Sequence, residues 1–228
     1  ASSGSLTAPA RAGMVSKEGF NSIVRALVPG DELSPDTKRF LSRTFGALFL
    51  AYARNDTPGD EGEAEELALV EELAVGLSMF VGGSKSEKLL FGFSAFDEGG
   101  VGGLPRLGLW RFMRALLIGF SVATAGSDSI SSAERTRLNK TAAVEITESV
   151  FRFLGYEGGA SSESDSQVVS YDAFGEWYNS GGYSLAAWLE LLDTRKWQSG
   201  SPTARAGTSA SVSAAKGAAV AAATGHAH

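Results

Sequence analysis

Residues 86–117 read SEKLLFGFSAFDEGGVGGLPRLGLWRFMRALL. Apolar residues recur at helical spacing on both sides of a glycine-rich segment that runs from Asp97 to Gly108. The apolar positions are Leu89, Leu90, Phe93 and Phe96 before the segment and Leu109, Phe112, Met113, Leu116 and Leu117 after it. Just upstream, Ser84 and Glu87 form a capping box, which predicts where the first helix begins. The stretch therefore predicts two helices joined by a tight loop.

The same order of elements is repeated before and after this stretch. Upstream, Ser34 and Pro35 are typical of a helix N-cap and first turn, and the apolar spacing from Leu67 to Phe80 predicts another helix. Downstream, Ser131 and Glu134 predict a second capping box. Little of the chain alternates with a period of two. The predicted fold class is all-α, built from paired helix–loop–helix units.

The two ends of the chain are rich in small residues. We expect a flexible tail over 1–17, a first lobe over 18–123, a second lobe with a closing helix over 131–198, and an Ala/Ser/Gly-rich tail over 199–228. Residues 181–197 either close the core or act as a built-in ligand of the protein's own groove. The first tail is either a floppy end or the remnant of an organelle transit peptide. The predicted location is cytoplasmic, with an organelle as the alternative.

The composition argues against several classes of function. The 228 residues carry 20 basic and 26 acidic side chains and no cysteine. Without a basic stripe we expect no nucleic-acid binding, and without cysteine there is no thiol chemistry. The histidines are His226 and His228, both in the tail, so we expect neither a Ser–His–Asp site nor a His-ligated catalytic metal, and no enzyme. We expect no membrane span, because Arg111 and Arg114 interrupt the longest apolar run.

Numbering the glycine-rich loop from Asp97 gives a recognisable pattern. Phenylalanines lie one and four residues before the loop, Gly102 falls at position 6 and Leu104 at position 8. The stretch resembles the EF-hand superfamily, particularly its calcineurin-B-like and neuronal-calcium-sensor-like branch, and the resemblance covers about residues 34–180. It implies that the aliphatic residue at position 8 pairs with a neighbouring loop. It also implies oxygen ligands for calcium at positions 1, 3, 5, 9 and 12.

Most of those ligands are missing from the loop. Asp97 remains, but positions 3, 5, 9 and 12 hold Gly99, Val101, Pro105 and Gly108. The last copy has Val169 at position 8 and Ala173 at position 12. Because calcium takes six to eight oxygens, we expect no cofactor, with calcium as the less favoured alternative.

One copy is acidic enough to suggest a metal site. Matching Leu73 to position 13 places Glu72 at position 12 and Glu61, Glu63 and Glu65 at positions 1, 3 and 5. The competing interpretation is that these acids form the first turns of a helix, where the macrodipole favours negative charge. The candidate metal ligands are therefore Glu61, Glu63, Glu65, Glu72 and Asp97.

Two functions follow from these patterns. The first is a non-catalytic protein that binds a partner's amphipathic helix, or a larger assembly, through an apolar groove largely without calcium. The candidate partner contacts are Trp110, Met113, Trp177 and Trp188. The second is a calcium sensor that uses the acidic region 56–72. A regulatory region cut from a larger enzyme or channel is a third hypothesis.

Overall fold

The computed structural model describes residues 13–28, 30–31, 33–53, 66–124, 131–156 and 167–198. These residues are mostly helical, which confirms the predicted all-α class. The longer helices are α1 (Lys17–Leu27), α2 (Pro35–Tyr52), α3 (Val70–Ser78), α4 (Lys85–Phe96), α5 (Arg106–Thr124), α6 (Ser132–Phe153) and α7 (Tyr171–Trp177). A π-helical turn (Tyr178–Gly182), α8 (Tyr183–Ala186), a 3₁₀ segment (Ala187–Leu192) and α9 (Arg195–Gln198) follow.

Four three-residue strands in the described part of the chain pair with one another and thereby link the helices that follow them. They are β1 (Met14–Ser16), β2 (Leu67–Leu69), β3 (Gly103–Pro105) and β4 (Val168–Ser170), and each one is followed at once by a helix. β1 pairs with β2 and β3 with β4, both antiparallel. The central residues of the two ribbons are the pairs Val15–Ala68 and Leu104–Val169. The strand–helix units are therefore joined two by two through their strands.

The chain divides between Ala74 and Val75 into two compact units, which we call unit 1 and unit 2. This division differs from the lobes expected from the sequence. β3 lies in the expected first lobe and β4 in the second, yet they pair within unit 2. Met14–Ser16, expected to belong to the tail, forms β1. Strands this short leave no periodicity, and their partners lie more than 50 residues away.

The structure confirms most of the helix starts that the sequence predicts. Ser34 caps α2 with Pro35 at the first position, and Ser84 and Glu87 form the full capping box of α4. Ser131 accepts from the Glu134 amide at the start of α6, but the Glu134 carboxylate pairs with Arg137 at 2.6 Å instead of completing a box. The helix expected from Leu67 begins only at Val70, because residues 67–69 pair with β1.

The core of unit 2 lies between α4, α5, α6 and α7. Phe93 of α4 lies 5.6 Å from the ring centroids of both Phe112 on α5 and Phe174 on α7. α4 approaches α5 closely at Gly92, where an added Cβ would lie 2.0 Å from the Phe112 ring. Only glycine fits at this point.

Unit 1 has a smaller core around its ribbon. The Phe20 ring on α1 lies 5.5 Å from the Phe49 ring on α2, and Leu48, Phe49 and Tyr52 are fully buried. The first half of α2, in contrast, exposes Phe40.

Candidate functional site

The loop between α4 and β3 is closed by its own backbone. Asp97 caps the end of α4, where its amide donates to the Phe93 carbonyl. Its two carboxylate oxygens accept from the amides of Val101 at 3.0 Å and Gly102 at 2.8 Å. Gly100 and Gly102 adopt left-handed φ values of 60° and 77°, which glycine takes without strain. The carboxylate of Asp97 thus stabilises the turn of the loop.

The strand pairing fixes a common register for four strand–helix units in the described part of the chain, which we number as copies one to four: β1–α1, β2–α3, β3–α5 and β4–α7. With the central strand residue taken as position 8, position 13 is held by a buried apolar residue every time: Phe20, Leu73, Leu109 and Phe174. Position 12 is held by Gly19, Glu72, Gly108 and Ala173. The packing positions are thus filled in every copy, while a carboxylate at position 12 is present only in the second.

Position 9 serves the backbone in the first and last copies. Ser16 caps α1 by accepting from the Gly19 amide at 3.3 Å, and Ser170 caps α7 by accepting from the Ala173 amide at 3.1 Å. Each cap satisfies an amide at position 12 that has no partner within its helix. These serine oxygens therefore hold the exiting helix.

The acidic copy is only partly described. Glu61, Glu63 and Glu65 lie outside the described residues, so the predicted ligand set is seen only at Glu72. The Glu72 side chain is 0% exposed although it carries a carboxylate. No group of three or more His, Asp or Glu side chains that could hold a metal ion is present in the part of the chain that the structure describes.

The candidate partner contacts are mostly core residues. Met113, Trp177 and Trp188 are buried in unit 2, and the Trp177 indole nitrogen donates to the Ser149 hydroxyl at 3.0 Å. Trp110 is half-buried, with the Arg114 guanidinium 5.7 Å from its ring centroid. In this conformation three of the four residues are turned away from any partner, because their apolar surface fills the interior of unit 2.

The segment after α7 packs back onto the start of α4. Trp188, Leu189 and Leu192 are buried, and the Trp188 ring meets Phe120 edge-on at 5.3 Å. Thr194 donates from its amide to the Gly83 carbonyl at 3.2 Å and accepts from the Gly83 amide at 3.1 Å. The segment is thus packed against unit 2, a position that both roles considered for residues 181–197 require.

A polar cluster centred on Glu190 ties the segment to α4. Its carboxylate accepts from the ammonium group of Lys85, from the Tyr178 hydroxyl at 2.9 Å and from the Lys196 ammonium at 2.7 Å. The Lys85 ammonium also lies 4.4 Å from the Tyr178 ring centroid. Three side chains from separate segments of the chain therefore meet at one carboxylate.

The same cluster shifts three pKa values, and the hydrogen bond to Glu190 raises the pKa of Lys196. Burial raises the pKa of Glu190, but the hydrogen bonds from Lys196, Lys85 and Tyr178 outweigh it and lower the pKa to about 2. Burial, together with the bond to Glu190, raises the pKa of Tyr178. Glu190 thus stays ionised down to strongly acidic pH.

Sequence patterns did not reveal this cluster or β1. Lys85 and Glu190 are 105 positions apart, and a single acid on a short apolar segment carries no motif. The signal available for β1 was the sequence Val15-Ser16 ahead of an apolar helix, which repeats Val169-Ser170 ahead of α7.

Among the described residues, α5 is long and apolar enough to span a membrane by length and composition. Eight of its residues are nevertheless buried inside unit 2, and Arg106 on it pairs with Glu148 on α6 at 2.5 Å. The apolar character of α5 therefore matches its place in the core. No family model, curated protein or solved structure matches this chain.

Proposed function

We propose that this chain is a non-catalytic, EF-hand-like protein that binds an amphipathic helix of a partner protein without needing calcium. The observation that carries the proposal is the pairing of its strand–helix units through Val15–Ala68 and Leu104–Val169. Paired helix–loop–helix units of this kind present apolar faces to partner helices.

The loops supply the argument for calcium independence. In the loop after α4, Asp97 is already engaged by two backbone amides, and position 12 is Gly108. In the first and last copies Ser16 and Ser170 cap helices. Among the described residues of these loops, a hard cation that takes six to eight oxygens finds too few free side-chain ligands.

Calorimetric titration of calcium into the chelator-stripped full chain tests this proposal. We expect no binding heat and an unchanged melting temperature. Micromolar binding with a raised melting temperature would contradict calcium independence, since a ligand that binds the folded state stabilises it by mass action.

A calcium sensor is the second candidate, and the position of Glu72 favours it. The Val15–Ala68 pair places Glu72 at position 12, where an EF-hand carries its bidentate glutamate, and the side chain is fully buried. This function would add Glu61, Glu63 and Glu65 as ligands.

Two single substitutions distinguish the candidates. Under the sensor function, Glu72→Gln abolishes the calcium response and the matched control Glu71→Gln, one residue earlier on α3, preserves it. Under the calcium-independent function, neither variant responds to calcium, and partner binding is the same in calcium and in chelator.

A further inference from the structure

We infer that a cleft in unit 2, between α6 and the turn that follows α7, binds a carboxylate that carries an apolar group on the carbon next to it. The C-terminal residue of a protein chain has this chemistry, and so do small free acids such as an N-acylated amino acid. The cleft has a volume of about 300 Å³, at the lower end of the range for ligand sites. Such a site is independent of the proposed function, because it needs neither a partner helix nor a particular state of the loops.

The shape of the cleft is fixed from inside by a buried indole. The Trp177 side chain is 2% exposed, and its indole nitrogen donates to the Ser149 hydroxyl on α6 at 3.0 Å. The turn after α7 also packs directly against this ring, since a Cβ added at Gly182 would lie 2.5 Å from it. The neighbouring Gly181 has a φ of 128°, which favours glycine. Because the indole is held by both α6 and the turn, packing sets the separation of the two walls.

Apolar side chains stand on both walls of the cleft. Phe153 on α6 is 45% exposed, Leu185 on α8 is 39% exposed, and both line the cleft. A ligand with an apolar group removes this surface from water, whereas an inorganic anion leaves it uncovered. Because both side chains are partly in solvent, the cleft is open and a longer chain can extend out of it.

The uncommitted polar groups of the cleft are hydrogen-bond donors. Arg152 lies one turn after Ser149 on α6, and its side chain has no partner within the described part of the chain. Glu148, one turn before Arg152, is already paired with Arg106 at 2.5 Å. The Ser180 hydroxyl also lines the cleft and has no partner among the described residues. A guanidinium only donates, and its two parallel N–H groups match the two oxygens of a carboxylate.

Anisotropy titration of two labelled peptides into the full chain tests the site. The probe is the peptide GSGSGL, labelled at its amino end and with a free C-terminal carboxylate. Its control is the same peptide with a C-terminal amide. We expect the acid to bind about tenfold more tightly than the amide, because only the acid accepts charge-assisted hydrogen bonds from Arg152.

Three substitutions separate the charge from the apolar contact. Arg152→Gln should weaken the acid by about tenfold and leave the amide unchanged. Leu185→Ser should weaken both peptides alike, since it removes apolar contact area. Arg137→Gln is the matched control, because Arg137 is another exposed arginine on α6, about four helical turns before Arg152. It should change neither affinity, and both arginine variants should melt like the wild type.

Competition by N-acetyl-leucine identifies the source of the carboxylate. Displacement of the probe at the concentration that unlabelled GSGSGL requires assigns the site to a small free acid. Displacement by the peptide alone assigns it to the end of a protein chain, and each result supports a carboxylate site. Equal affinity for acid and amide, or an Arg152→Gln variant that binds the acid as the wild type does, overturns the site. Absence of binding up to about 1 mM peptide overturns it as well.

Discussion

Replacing Gly92 by alanine tests whether the close crossing of α4 and α5 holds unit 2 together. An alanine Cβ would lie 2.0, 2.4 and 2.8 Å from three carbons of the Phe112 ring, where carbon atoms normally keep about 3.5–4.0 Å. The ring must therefore retreat by roughly 1.5 Å. It is fully buried between Phe93 and Phe96, so the helices have to separate instead.

Two opposing effects set the size of the change. Alanine in place of glycine in a helix interior gains about 1 kcal/mol. Overpacking a filled core costs about 1–3 kcal/mol and occasionally more, and a contact this short belongs at the upper end. We expect Gly92→Ala to lose about 2 kcal/mol net, which lowers the melting temperature by roughly 4–8 °C in a chain of this size.

Urea and thermal unfolding of the full chain measure this loss, with Gly175→Ala as the matched control. Gly175 lies in α7 of the same unit, and an added Cβ there meets nothing within 4 Å. The control should gain up to about 1 kcal/mol. In a Phe112→Leu background the Gly92→Ala cost should shrink, because the smaller side chain removes the clash. A Gly92→Ala variant as stable as the wild type would refute the reasoning.

Three further predictions concern the loop and the closing segment. Asp97→Ala removes the carboxylate that accepts hydrogen bonds from two loop amides. The free energy of unfolding, measured by urea titration, should therefore fall by about 1–2 kcal/mol. An unchanged free energy of unfolding would show that the loop closes without this carboxylate. Trp188→Ala should cost about 3–5 kcal/mol in the same assay, because it empties a buried position; a small effect would mean that the segment is not core. Glu190 has its pKa lowered on folding, so its contribution is present above pH 4.5 and is lost as pH falls towards 2. Glu190→Gln should therefore be less stable than wild type at pH 7, on the order of 1 kcal/mol at this partly exposed site, and the gap should close in melts at pH 2; a constant gap would contradict this.

Local patterns in the sequence were enough to predict the helices and several of their caps. Ser34, Ser84 and Glu87 act on amides within a few residues of themselves, so their roles can be read from spacing alone. The apolar spacing of α4 and α5 likewise predicted most of the residues that face the core, but it was wrong for Leu90, which is 55% exposed. The prediction of a full capping box was wrong at Glu134, because Arg137 binds the same carboxylate.

Contacts between distant residues were decided only by the tertiary structure. The pairing of Val15 with Ala68 joins three-residue strands that carry no periodic signal. The partners of Glu190 come from α4, from the turn after α7 and from α9. The burial of Met113, Trp177 and Trp188, proposed as partner contacts, depends on how the closing segment packs. A sequence specifies which residues are apolar, but the fold determines which apolar surface is covered, because burial requires a neighbour that can come from anywhere in the chain. Ile23 and Leu27 show this: they share the spacing of the fully buried Phe112 and Leu116 and remain exposed.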